Sequence, residues 1–209
     1  MGKMYKGKKT RQLIIDKATI LFTKNGYNNT TLSQILKATG LAKGGFYFHF
    51  QSKEELGIAV IQSLEECWTH EILPKLQQGV NAKEKLELMF SSPGDCTSTN
   101  SIRPTILLLT LATEMIEVND KFSKMLQHIF KGWWMIIEAI IEEGKLENIF
   151  RKDIDAGAVA AIILSNILGA NLLSLLNKKL DIYEKQLKML KTILFEGISV
   201  GDATNYEIV

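Results

Sequence analysis

Apolar residues recur at helical spacing through almost the whole chain, and alternating strand-like stretches are nearly absent. Proline occurs only at Pro74, Pro93 and Pro104, which leaves long stretches free to form long helices. In the first such stretch Ile14, Ala18, Leu21 and Phe22 fall on one helical face. Thr10 is a plausible N-cap for it, and Gly26 ends it before a Tyr27-Asn28-Asn29 turn. Thr31 caps a short second helix that buries Leu32, Ile35 and Leu36, and Gly40 turns the chain with Leu41 plugging the turn. A third short helix is expected over residues 43–49.

Ser52 with Glu55 forms a capping box for a long fourth helix, whose seam is Leu56, Ala59, Val60, Ser63, Leu64 and Cys67. Pro74 is expected to bend or end it. Asn81 with Glu84 opens a helix through Phe90, and residues 91–103 read as a loop. Further helices are expected from Pro104 to about Glu117, from Asn119 or Asp120 to Gly144, from Asp155 to Asn177 and from Asp181 to Val200, before a polar tail. The fold class is all-α with about nine helices. A small N-terminal unit, residues 1–52, precedes a larger helical bundle, residues 53–209.

Charge separates these parts. Residues 1–60 hold ten Lys or Arg and three acidic residues, whereas the whole chain has a formal net charge of only +2. A basic head on an acidic body suits a head that meets a polyanion. The two cysteines, Cys67 and Cys96, have no zinc or redox spacing, and the basic, polar N-terminus has no apolar core segment of a signal peptide. A reduced cytoplasmic setting is the expectation. No cofactor is expected. The three histidines lie far apart, without a nucleophile–base pairing, a metal spacing or a Gly-rich phosphate loop, so an enzyme is not expected.

Two short helices joined by a Gly-containing turn are the core of a helix-turn-helix, whose second helix enters the DNA major groove. That places Lys43, Gly44 and Gly45 nearest the bases. Lys43 has the chemistry to donate to guanine acceptors or phosphate, and Tyr47 and His49 to phosphate oxygens. The start of the second helix, at Thr30 and Thr31, offers amides and hydroxyls to a phosphate. Lys53 opens the fourth helix within reach of the backbone.

The stretch TTLSQILKATGLAKGGFYFHFQSKEEL, Thr30 to Leu56, resembles the N-terminal domain of TetR-family transcriptional regulators. The likeness extends upstream through Phe22, Gly26 and Tyr27 and is strong over residues 10–57. It implies DNA contacts at Thr31, Lys43, Tyr47, His49 and Lys53, and core positions at Phe46 and Phe50. There is one departure. The family often has Ser or Thr just before the recognition-helix Lys and again after its Gly, where this chain has Ala42 and Gly45. The helix cap is lost, and no side chain at 45 reads a base.

The resemblance also implies a ligand-binding, dimerising body. Residues 156–176 carry no charge, a run long enough to span a membrane. Within it Gly157, Ala161, Ser165 and Gly169 recur every four residues. Asn166 and Asn171 argue against lipid, so no membrane partner is expected. The favoured reading is a helix buried against its own copy, with Leu187, Leu190 and Leu194 of the last helix as a second seam. The expected homodimer would bind a palindromic operator in double-stranded DNA. The helices from Pro104 to Gly144 suggest a pocket for a small apolar effector, with Arg103, Glu114, Met115, His128, Phe130, Trp133, Trp134 and Asn166 as candidate lining. The function read from this is a ligand-released repressor. The alternative is a DNA-binding architectural protein without an effector.

Overall fold

Helix starts in this chain are set by short polar side chains, each followed at the third position by a backbone amide in need of an acceptor. Thr31 Oγ1 accepts from the Gln34 amide at 3.3 Å, and the Gln34 side chain returns to the Thr31 amide at 2.7 Å. Ser52 Oγ accepts from the Glu55 amide at 3.1 Å and Asn81 Oδ1 from the Glu84 amide at 2.9 Å. In both places the glutamate reaches one residue further back than a capping box requires, to Gln51 and Val80. Asn119, rather than Asp120, caps its helix, accepting from the Lys121 and Phe122 amides. Asp155 does the same for Ala158.

The structure is a computed structural model that describes residues 2–91, 104–177 and 180–200. Among the described residues there are nine helices: α1 (Gly2–Asn25), α2 (Leu32–Thr39), α3 (Lys43–Tyr47), α4 (Lys53–Leu76), α5 (Ala82–Ser91), α6 (Pro104–Met115), α7 (Asp120–Leu146), α8 (Ala156–Asn177) and α9 (Leu180–Ile198). Residues 92–103 of the expected loop, and the tail from Gly201, lie outside the described residues. Two expectations shift. Thr10 lies inside α1, because nothing between Gly2 and Thr10 breaks a helix and lysine is a good helix former. Pro74 sits within the last turn of α4, which closes two residues later. Gly26 and Gly40 adopt the left-handed conformations expected of them, with φ of 80° and 69°.

The helices form two compact units. The first comprises α1 to α3, α4 as far as His70, α6, and α7 as far as Ile129. Here α1 packs on α2 and α6. Its core holds Ile14, Ala18 and Phe22 of α1, Ile35 of α2, Phe46, Phe50, the α4 seam residues Leu56, Val60 and Leu64, and Leu107, Leu111 and Phe122. Tyr27 lies between Phe22 and Phe122, with ring centroids 5.1 and 5.0 Å away. A Cβ on Gly57 would stand 2.5 Å from the Phe122 ring and 2.8 Å from that of Tyr27, so α4 approaches there only through a glycine.

The second unit comprises α4 from Glu71, α5, α7 from Phe130, α8 and α9. α9 packs on α8 and α5. Phe195 stands between Phe90 and Phe150, and a Lys85–Glu143 ion pair joins α5 to α7. A single antiparallel bridge links Phe150 to Ser199.

The glycines separate packing from propensity. Gly57→Ala gains roughly 0.5–1 kcal/mol of helix propensity but loses about 1–3 kcal/mol to overpacking, and its Tm should fall. Gly132→Ala, in α7 with nothing within 4 Å of the added carbon, should raise Tm. Thermal unfolding followed by circular dichroism checks both signs.

Burial, and then the nearby Glu54 carboxylate, push the Tyr27 phenol up to about 12. The unfolded chain ionises this group near 10, so the contribution of Tyr27 to stability is intact below pH 10 and falls between pH 10 and 12. Absorbance at 295 nm should show a tyrosine step near pH 12 that vanishes in Tyr27→Phe.

Candidate nucleic-acid interface

α3 is short, and its anchorage comes from two aromatic rings four residues apart. Phe46 and Phe50 are fully buried, with centroids 5.9 Å apart, and the Arg11 guanidinium of α1 lies 4.9 Å over Phe50. Positions i and i+4 share a helix face, so the intervening residues point elsewhere. Tyr47 is half exposed and Phe48 is 81% exposed. His49 is half-buried, with its ring edge-on to Phe48 at 5.0 Å. Lys43 and Gly44 are exposed at the start of the helix, and Gly45 is half-buried beside Leu41. Ala42 sits at the N-cap with extended backbone and no side-chain cap, as its sequence implies.

This brings together Lys43, Gly44 and Tyr47 of one short helix and its C-cap residue Phe48 as accessible residues. Phe48 is the residue that sequence reading left out. Its signal was present: residue 48 lies midway between two buried positions and must face away from both. A large exposed ring beside a lysine and a tyrosine suits contact with deoxyribose or a thymine methyl. Thr31 is exposed at the capped start of α2, where helix amides favour a phosphate.

Thr30 has another role, and Lys53 makes contacts within the chain. Thr30 is wholly buried; its hydroxyl donates to the Gly26 carbonyl at 2.7 Å and its amide to the Tyr27 carbonyl at 3.2 Å. It closes the turn after α1 and has no group left for DNA. The Lys53 ammonium donates to the Asn28 carbonyl at 3.3 Å and lies 4.3 Å over the Tyr27 ring. Burial lowers its pKa, while Glu114 works in the opposite direction.

Of the candidate effector residues, Glu114, Met115 and His128 belong to the first unit and Phe130, Trp133, Trp134 and Asn166 to the second. In the first unit Met115 is buried and His128 is exposed. Glu114 is bound to the helix-turn-helix: its Oε2 accepts from the Asn28 amide at 2.9 Å. In the second unit Trp133 is buried against Phe130, with centroids at 5.4 Å, while Trp134 is 42% exposed, as two adjacent helical residues require. Asn166 is exposed, and its side-chain amide donates to the Ile162 carbonyl of its own helix. Arg103 lies outside the described residues. A cavity of about 420 Å³ lies between α5 and α9 and is lined by Glu87, Phe90, Tyr183, Leu187, Lys188 and Lys191, none of them an expected effector residue.

The expected dimer residues divide similarly. Leu187 and Leu194 are buried within the chain, 2% and 7% exposed, because α9 turns them toward its own unit. They are not available to a second copy. Gly157, Ala161, Gly169 and Leu190 are half-buried, and Ser165 is exposed. The exposed large apolar side chains of these helices are Ile162, Leu172, Leu173, Leu175 and Leu176 on α8 and Met189 and Ile193 on α9.

Comparison with known proteins accords with this arrangement. Residues 14–60 match the family described as bacterial regulatory proteins, tetR family, and residues 82–190 match the tetracyclin repressor-like C-terminal domain. The uncharacterised HTH-type transcriptional regulator YxaF of Bacillus subtilis is 30% identical over 171 residues, covering 81% of this chain and 86% of its own. The HTH-type transcriptional repressor DhaR of a Mycobacterium species is 25% identical, covering 90% and 91%. A TetR transcriptional regulator structure from Chloroflexus aurantiacus superposes with a TM-score of 0.82 at 25% identity, covering 94% of this chain and all of the other. Two short helices with an accessible second helix, on an all-helical chain whose two halves match the two domains of one family, identify this chain as a member of the TetR family of DNA-binding transcriptional regulators, which are transcription factors and not enzymes.

Proposed function

We propose that this regulator is a cytoplasmic repressor that binds a palindromic operator as a homodimer and leaves it when a small apolar molecule binds the body. The observation that carries the DNA part is the exposed group Lys43, Gly44 and Tyr47 of α3 with its C-cap residue Phe48, beside the capped start of α2 in the basic N-terminal segment. Residues 1–52 supply this reading head and residues 53–209 the effector and dimer functions. Similarity to a protein named as a transcriptional repressor supports the negative sign of regulation.

The dimer part rests on the exposed apolar stripe of α8 and α9. Ile162, Gly169, Leu172, Leu173 and Leu176 recur at helical spacing beside Met189 and Ile193 of the helix packed next to it. Two such faces brought together by a twofold axis make a four-helix interface. The same axis makes the operator palindromic. An effector acts by binding one state of this dimer more tightly than the other. α4 and α7, which supply residues to both compact units, are the helices through which such a preference reaches the head.

Selection of bound sequences from random DNA should return a palindrome, and a subsequent compound screen should find molecules that release it. A lone half-site or no preference would overturn the dimeric operator reading. Lys43→Ala should relax the selected sequence and weaken binding by roughly 1–3 kcal/mol, measured by fluorescence anisotropy. Phe48→Ala should weaken binding without lowering Tm, since the ring is exposed.

Ile193→Glu combined with Leu176→Glu should give a folded monomer by sedimentation velocity. Leu187→Ala should instead lower Tm by the cost of a core cavity, about 2–5 kcal/mol of stability.

A further inference from the structure

We propose that Glu114 and Lys53 clamp the Asn28 backbone, one at its N–H and the other at its C=O, and thereby set where α2 presents its N-terminus to DNA. Glu114 is thus a positioning residue for operator binding. The inference rests on the reading that α2 and α3 form the DNA-contacting pair.

The Asn28 amide donates to Glu114 Oε2 at 2.9 Å, and the Asn28 carbonyl accepts from Lys53 Nζ at 3.3 Å. The two peptide groups that flank Asn28 are therefore held, one by an anion from the last turn of α6 and the other by a cation from the first turn of α4. The approach is close enough that a Cβ on Gly26 would stand within bonding collision of Glu114 Oε1. Gly26 takes the left-handed conformation that favours glycine, and a side chain there would also displace the Glu114 carboxylate. The ammonium rests on the face of Tyr27, itself packed between Phe22 and Phe122, so the cation has little freedom to leave.

The clamped backbone is continuous with the start of α2. Thr30 ties back to the Gly26 and Tyr27 carbonyls, and Thr31 is the N-cap whose box with Gln34 begins the helix. Between Gly26 and Gln34 the residues Asn28, Thr30 and Thr31 are each held by a hydrogen bond. A displacement of the Asn28 backbone therefore moves the α2 N-terminus rather than being absorbed by a slack loop.

The sign of the effect separates this role from plain electrostatics. Removing a carboxylate from a DNA-binding head should tighten binding to a polyanion. If Glu114 positions the turn, Glu114→Ala should weaken it. Fluorescence anisotropy on the DNA selected by the wild-type protein should show Glu114→Ala weaker by about tenfold, a size usual for coupling through a charged hydrogen bond. Glu114→Gln keeps an acceptor oxygen and should restore most of the affinity. Hydrogen exchange at Asn28 should quicken in Glu114→Ala and not in Glu114→Gln, while Tm reports that both are folded. Lys53→Met should weaken binding with an unchanged salt dependence. A salt slope that falls by about one in Lys53→Met would make Lys53 a phosphate contact and overturn its place in the clamp. Glu114→Ala that binds as tightly as wild type or tighter, or Asn28 exchange that does not change, overturns the clamp while leaving the DNA-binding reading intact.

Discussion

The Tyr27 ring is held by Phe22 at the end of α1, by Phe122 at the start of α7, by the Cα of Gly57 on α4, and by the Lys53 ammonium over its face. Three helices thus meet on the residue that also begins the turn into α2. Aromatic pairs of this kind contribute about 0.5–1.5 kcal/mol each beyond the area they bury. The exposed Lys121–Glu54 ion pair at 3.1 Å joins two of the same helices but is worth roughly 0–1 kcal/mol. Packing on the ring, more than surface charge, seats the helix-turn-helix. A turn that sequence alone would leave as a connector is therefore part of the core.

α3 depends on the same kind of anchorage. A five-residue helix with no side-chain cap and two adjacent glycines has almost no stability of its own. Phe46 and Phe50 supply what the backbone lacks, burying one face completely. The opposite face is left with Lys43, bare backbone at Gly44, and the rings of Tyr47 and Phe48. Few of these groups discriminate base edges by hydrogen bonding, since only Lys43 carries a donor suited to guanine. On the proposed reading, close backbone approach at Gly44 and contact of apolar rings with sugar or methyl groups would favour recognition by groove shape as well as by sequence.

Much of this was legible before any coordinates. The caps Thr31, Ser52, Asn81, Asn119 and Asp155 could be read because a cap involves residues three apart and nothing distant. Gly26 and Gly40 could be read for the same reason. Phe46 and Phe50 followed from the family likeness. What escaped depends on long-range geometry. Thr30 looks like its neighbour Thr31, and only the closure of the α1 turn decides that one is buried and the other exposed. Glu114 lies 86 residues from the amide it binds, and no local pattern announces that pairing. Leu187 and Leu194 share a helix with Met189 and Ile193, and periodicity finds an apolar face without saying whether its own chain covers it. Phe48 was legible and overlooked: a ring between two buried rings must point outward.

The most ambiguous segment in the sequence is the uncharged run that becomes α8, which is long and apolar enough to cross a membrane by length and composition alone. Its polar residues favour protein on both sides over lipid. Asn171 and Ser174 are buried within the second unit, and Asn171 donates to the Ile167 carbonyl of its own helix. On the outer face Asn166 does the same with Ile162, so neither amide needs a distant partner before a surface closes over it. Gly169 and Ser165 are small enough there to let another backbone approach, while Ile162, Leu172, Leu173 and Leu176 supply apolar area around them. A contiguous apolar patch flanked by Met189 and Ile193 is a liability on an isolated chain in water. In the proposed homodimer a second copy would cover it, remove that liability and couple two DNA-reading heads. On this reading the charge-free composition of α8 reflects burial from both sides, once by its own chain and once by a second.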